Sequence, residues 1–205
     1  IVQSVLDKEV YIDSGHISPE RISSLGCPRM DDFVKKSKEK RLDAKKRRKR
    51  VIFLPFTYKE TSAFESTHLR SYVKELQLFF LRFAIKFPEI DVVIKPKPKS
   101  SKLWEKEAMF KMIGDARIED NKFLNLIIRD DIDIHSLFLE SDIVCGISTS
   151  ALLEAAVLGL PIIIPYFKDL RNPKYDKRLF YRDAYDLFDI AESAEDLESL
   201  ILKRL

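Results

Sequence analysis

Three consecutive hydroxyl residues, Ser148, Thr149 and Ser150, with Glu154 four positions after the last, are the residues of this sequence best suited to chemistry. They lie between the short, β-branched run 143–147 and the helix formers Ala151 to Leu158, which Gly159 and Pro161 follow. The run reads as a parallel strand covered on both faces, and the hydroxyl residues as an N-cap and its neighbours. Gly159 then ends the helix and Pro161 opens the next strand. Free N–H groups and added hydroxyls at such a helix start suit a phosphate or diphosphate. Glu154, one turn further along, would repel a phosphate beside it but could accept from the two hydroxyls of a ribose lying deeper in the cleft. A capped core helix with Glu154 solvated fits the same residues, and spacing alone leaves both readings open.

The elements around this turn alternate between short apolar runs and longer amphipathic ones, the pattern of a parallel α/β domain. Strands are predicted at 51–56, 91–95, 124–128, 143–147, 162–165 and 188–191. Helices are predicted at 69–87, 101–113, 134–140, 151–158 and 194–205, the last opened by Ser193 with Asp196 three residues on, close to a capping box. Tyr72, Val73, Leu76, Phe79, Phe80, Phe83 and Ala84 recur at helical spacing, so these aromatics read as core. A doubly wound sheet of order 3-2-1-4-5-6 would bind ligands where its first and fourth strands end. That rule selects Thr57, Tyr58 and Lys59 after the first strand and Ser148 to Ser150 after the fourth. The second strand ends in Lys95-Pro96-Lys97-Pro98, whose two cations are either ligand contacts at the same edge or a solubilising feature. No Gly-x-Gly-x-x-Gly or Gly-x-x-x-x-Gly-Lys occurs, which disfavours nicotinamide-dependent redox chemistry and P-loop ATP hydrolysis.

The 205 residues, 45% hydrophobic, can bury a substantial core. No apolar run reaches the ~20 residues of a bilayer span, and the first residues show no charged n-region followed by an apolar h-region. The first residue is Ile1, so a fragment of a longer protein is expected. Cys27 and Cys145 stand far apart, indicating neither a disulfide framework nor a zinc site, and a reducing cytoplasm fits. His16, His68 and His135 lack metal-ligand spacing and read as surface or boundary residues. The net charge of +3 is unevenly placed: residues 35–50 hold eleven Lys or Arg against Glu39 and Asp43. This basic linker suits a solvated connection or peripheral contact with an anionic membrane. Nucleic acid is not expected as a partner, because no aromatic interrupts the run to stack on bases.

Four segments carry a family resemblance. Gly26-Cys27-Pro28-Arg29-Met30-Asp31, Val51 to Thr57, Val92 to Pro98, and Ser148-Thr149-Ser150 with Gly159-Leu160-Pro161 together resemble the C-terminal half of GT-B glycosyltransferases. The likeness is to the bacterial surface-carbohydrate group, similar to CDP-glycerol glycerophosphotransferases and more distantly to UDP-N-acetylglucosamine 2-epimerases. That transferase group commonly has a histidine where this chain has Lys97. The resemblance implies residues 1–34 as the end of an N-terminal domain and interdomain connection, 35–50 as the linker, and 51–205 as a Rossmann-like nucleotide-binding domain. It also implies Ser148, Thr149 and Ser150 at the phosphates of a nucleotide-activated sugar, Glu154 at the ribose, and Thr57 and Lys59 as further phosphate contacts; Lys95 and Lys97 are candidate phosphate contacts from their place at the same sheet edge instead.

The expected function is donor binding in a glycosyltransferase that builds capsule, lipopolysaccharide or another surface glycan. Its acceptor would be a glycan or lipid-linked, no metal or other cofactor would be required, and the setting would be cytoplasmic, at the inner face of the membrane where the linker docks. The alternatives are half of a nucleotide-sugar epimerase, or a noncatalytic nucleotide-binding or interaction module. No residue of the sequence identifies the catalytic base.

Overall fold

The computed structural model describes residues 5–26, 30–40, 47–55, 67–96, 125–173, 179 and 181–205. Thr57, Lys59, Lys97 and the helix expected at 101–113 lie outside them. The chain divides into two compact units, residues 1–43 and 44–205. The first contains helices α1 (Val5–Asp13) and α2 (Asp31–Lys40), with Ile22, Met30 and Phe33 buried. Neither helix was expected from periodicity. α2 takes the first basic residues of the 35–50 run into regular structure, starting on Asp31 and Asp32, whose charges favour a helix N-terminus.

In the second unit, β1 (Arg50–Leu54), β2 (Asp91–Ile94), β3 (Leu126–Ile128), β4 (Ile143–Gly146), β5 (Ile162–Pro165) and β6 (Asp189–Ala191) form one sheet. Its order is β3-β2-β1-β4-β5-β6 and every pairing is parallel, as the sequence predicts. The connecting helices are α3 (Thr67–Lys86), α4 (Ile134–Leu139), α5 (Ala151–Val157) and α6 (Ala194–Arg204). α3 packs with α6, and α4 with α5. Because β1 to β2 and β4 to β5 step in opposite directions, right-handed crossovers put these pairs on opposite faces. With both faces covered, the central residues of β1 and β4 can all be apolar: Val51 to Phe53 and Ile143 to Cys145 are at most 1% exposed. Phe53 stacks on Phe80 of α3 at 4.3 Å between ring centroids. Tyr72, also on α3, donates its buried hydroxyl to the Pro165 carbonyl at the end of β5.

The last basic residues before the sheet are tied to its N-terminal edge. Asp142 accepts from the Arg50 N–H and from Arg47 Nη1, each at 2.8 Å, while Lys49 Nζ lies 3.4 Å away. Arg48 and Arg50 pair with Asp91 at 3.2 and 3.4 Å, and Arg50 also reaches Glu140 at 3.1 Å. These four cations, which composition placed in a solvated linker, draw three strand starts together. No helix among the described residues is long and apolar enough to cross a membrane.

Candidate functional site

Reversal of strand order between β1 and β4 opens a crevice at their carboxyl ends. Leu54 and Gly146 are register partners there. A Cβ on Gly146 would stand 3.1 Å from Leu152 Cδ2, 3.2 Å from Leu54 Cβ and 3.3 Å from the Leu54 carbonyl oxygen, so the strand ends and α5 close tightly on this position and a methyl would need them to give by a few tenths of an ångström. Beyond it Ile147 is buried and Ser148 takes the left-handed backbone conformation (φ 49°) that turns the chain into α5.

Ser148 and Thr149 are buried and Ser150 is exposed. The first helical bonds run from Leu152 N–H to the Thr149 carbonyl and from Leu153 N–H to the Ser150 carbonyl. The N–H groups of Ser150 and Ala151 therefore precede the ladder. The expected cap differs in detail. Ser150 occupies the N-cap position in helical conformation without a side-chain capping bond, and the Thr149 hydroxyl approaches the Ala151 N–H at 3.5 Å. Ser150 is already helical because the sharp turn occurs earlier, at Ser148.

Glu154 is neither solvated nor simply open to the crevice. Its side chain is 16% exposed, and Oε2 lies 3.0 Å from His135 Nε2. His135 is the second residue of α4, whose first turn is capped by Asp133, accepting from the Ser136 N–H at 2.7 Å. Those hydrogen bonds from Ser136 hold the Asp133 carboxyl below the usual range, with a smaller contribution from His135. Tyr181, also in left-handed conformation (φ 61°), completes the surroundings; burial raises its phenol pKa, and the negative charge of Glu154 adds to this. An open hollow of about 700 Å³ adjoins Tyr181 and is lined by Leu179, Arg182, Asp183 and Tyr185 among others. The Arg182 guanidinium lies 4.9 Å from the Tyr166 ring centroid and 5.0 Å from that of Tyr185.

The structure thus brings Ser148, Thr149, Ser150 and Glu154 together on the β4–α5 connection. Lys95 stands at the same sheet edge at the end of β2, its ammonium donating to the Asp130 carbonyl at 3.0 Å. His135, Tyr181 and Arg182 were missed by sequence reasoning. A signal existed for His135: the helices on either side of β4 both begin at the carboxyl edge, so early residues of each can meet. Among the described residues no group of three or more His, Cys, Asp or Glu side chains is placed to hold a metal ion.

No protein-family model matches the sequence, and no curated protein does. Solved structures do match. A variant of the wall teichoic acid polymerase TagF aligns with TM-score 0.58 and 14% identity over 98% of this chain and 47% of its own. The UDP-GlcNAc 2-epimerase of Methanocaldococcus jannaschii aligns with TM-score 0.59 and 11% identity over 98% of this chain and 53% of its own. That of Neisseria meningitidis, bound to UDP-GlcNAc, gives 0.56 and 14% over 98% and 50%. The chain spans about half the length of each of these three structures. Its Rossmann-like fold is that of one half of such GT-B-type enzymes, as the sequence motifs led one to expect.

Proposed function

We propose that this chain is the donor-binding half of a glycosyltransferase that moves a sugar, or a sugar-like phosphate group, from a nucleotide-activated donor during surface-polysaccharide synthesis. The observation that carries the proposal is the position of the Ser148–Ser150 turn and Glu154 at the β1/β4 switch point. The likeness of fold to the TagF polymerase and to an epimerase solved with UDP-GlcNAc and UDP supports it. In this reading residues 1–34 end an acceptor domain, 35–50 link the two, and 51–205 bind the donor. The N–H groups of Ser150 and Ala151, with the Thr149 and Ser150 hydroxyls, hold the phosphates, and Glu154 accepts from the ribose hydroxyls. Thr57, Lys59, Lys95 and Lys97 supply further phosphate contacts from the ends of the first two strands. As the bond between the anomeric carbon and phosphate oxygen breaks, charge grows on the leaving group, and the aligned N–H groups and cations stabilise it. The acceptor, a glycan or lipid-linked molecule, would meet the donor from the other half of the enzyme.

A thermal-shift series with UDP, CDP, CMP, GDP and their sugar conjugates tests the binding. A ligand at ten times its dissociation constant stabilises by about 1.4 kcal/mol. We expect one base to stand out and that shift to shrink in the Thr149→Ala, Ser150→Ala double variant. Failure of every nucleotide to shift the transition would overturn the donor-binding reading. An epimerase half-domain shares the fold and donor class; release of an epimerised sugar from UDP-GlcNAc would favour it over transfer.

A further inference from the structure

We infer that His135 is the positioning residue for Glu154, fixing its carboxylate for the two hydroxyls of a ribose and so favouring ribonucleotides over deoxyribonucleotides. The inference rests on the donor-binding reading above. An ionised carboxylate only accepts hydrogen bonds, so His135 Nε2 carries the proton in their 3.0 Å contact. Occupation of Oε2 by one donor leaves a carboxylate with acceptor capacity for others, since its two oxygens offer about four sites. The backbone that carries the histidine is itself fixed, since Asp133 and Ser136 on either side of it close the α4 cap.

A role confined to joining α4 to α5 does not account for this pair. Those helices already bury Leu137, Phe138, Leu152 and Ala155, and one partly exposed hydrogen bond adds little to such packing. The pair lies at the carboxyl edge of the sheet, where the crevice opens. Glu154 also acts on Tyr181, whose phenol pKa is raised by burial and further by the carboxylate charge. A glutamate has three rotatable bonds, and one fixed before binding loses less freedom when ligand arrives. Two hydroxyls on adjacent ribose carbons need an acceptor in one orientation, whereas a single hydroxyl is satisfied by many. Fixing Glu154 therefore rewards the diol specifically.

The test is calorimetric titration of the whole chain with UDP, CDP and their 2′-deoxy forms, using the native protein, His135→Ala, His135→Gln and Glu154→Gln, with thermal midpoints confirming folding. We expect His135→Ala to weaken the better ribonucleotide about three- to tenfold while changing its 2′-deoxy form less than twofold. His135→Gln, which keeps an N–H donor near the Nε2 position, should restore most of the loss. An equal loss for both sugars, or none, in His135→Ala would overturn the inference if Glu154→Gln remains selective for the ribose. Were Glu154→Gln also without selective effect, or neither nucleotide bound, the ribose reading itself would fall and the role of His135 with it.

Discussion

Gly146 shows at the scale of one residue how tightly the switch point is built. Its missing Cβ would meet the Leu54 carbonyl at 3.3 Å, and backbone cannot move aside as a side chain can. Gly146→Ala should therefore destabilise the fold by roughly 1–3 kcal/mol, the usual cost of overpacking, seen as a lower urea midpoint with unchanged slope. An unchanged midpoint would mean that Leu152 and Leu54 give way freely. Asn125 governs a second such point. It is 2% exposed, and its amide nitrogen lies 2.9, 3.2 and 2.7 Å from the carbonyls of Ala84, Phe87 and Ile90, satisfying the end of α3 and the entry to β2. Asn125→Asp exchanges that donor for a carboxylate facing three carbonyls. It should cost more at neutral pH than Asn125→Ala, which takes this donor from the Ala84 and Ile90 carbonyls at about 1–3 kcal/mol while the Phe87 carbonyl keeps the Ile90 N–H. Acidification should recover part of the Asp variant's loss by protonating the new carboxyl, and equal denaturation curves for the two variants at pH 7 would refute this account.

Among the elements, α4 is short enough that its cap decides whether His135 is held. Asp133 titrates below the usual carboxylate range in the folded chain because Ser136 donates to it. A depressed folded value means that its stabilisation is complete above the unfolded value and is lost as pH falls through the folded one. Asp133→Ala should lower stability at pH 7 by about 1 kcal/mol, and the difference from the native protein should vanish once the pH is below both values. Paired urea melts at neutral and strongly acid pH would measure it; a pH-independent difference would assign the loss to packing instead. The elements were legible where burial imposes a period. The apolar spacing of Tyr72 to Ala84 marks α3, and β-branched runs mark β2, β4 and β5 to within about a residue of their observed ends and β1 to within about two. α2 escaped detection because its face rests on few apolar residues amid Lys and Asp, and the 3-10 turns Lys168–Arg171 and Arg182–Leu187 are too short to carry a period. The site was half legible for a related reason. Ser148 to Glu154 is local in sequence, whereas the contact of Glu154 with His135 requires α4 and α5 to be packed side by side.

At the scale of the whole sheet, the two edges have separate duties. The N-terminal edge gathers the side chains of Arg47 and Lys49 on Asp142, which also accepts from the Arg50 N–H, the first of β1. The carboxyl edge carries the hydroxyl turn and Glu154. β4 lies between them, and its four residues span ~13 Å at the rise of an extended strand. Removing Asp142 leaves the Arg50 N–H without this acceptor and Arg47 and Lys49 without their shared counter-charge. Asp142→Ala should thus lower stability by roughly 1–3 kcal/mol, an effect partly masked at high salt because the cations are partly exposed. Nucleotide affinity, measured well below the transition, should be unchanged. Glu154→Gln should do the reverse, lowering ribonucleotide affinity by about 1–2 kcal/mol with little change in stability. The double variant should show both losses in full, since groups farther apart than about 10 Å with no shared partner add to within ~0.5 kcal/mol. Loss of affinity in Asp142→Ala, or clear non-additivity in the pair, would show that β4 transmits strain from one edge to the other. The division of labour between the edges would then be wrong.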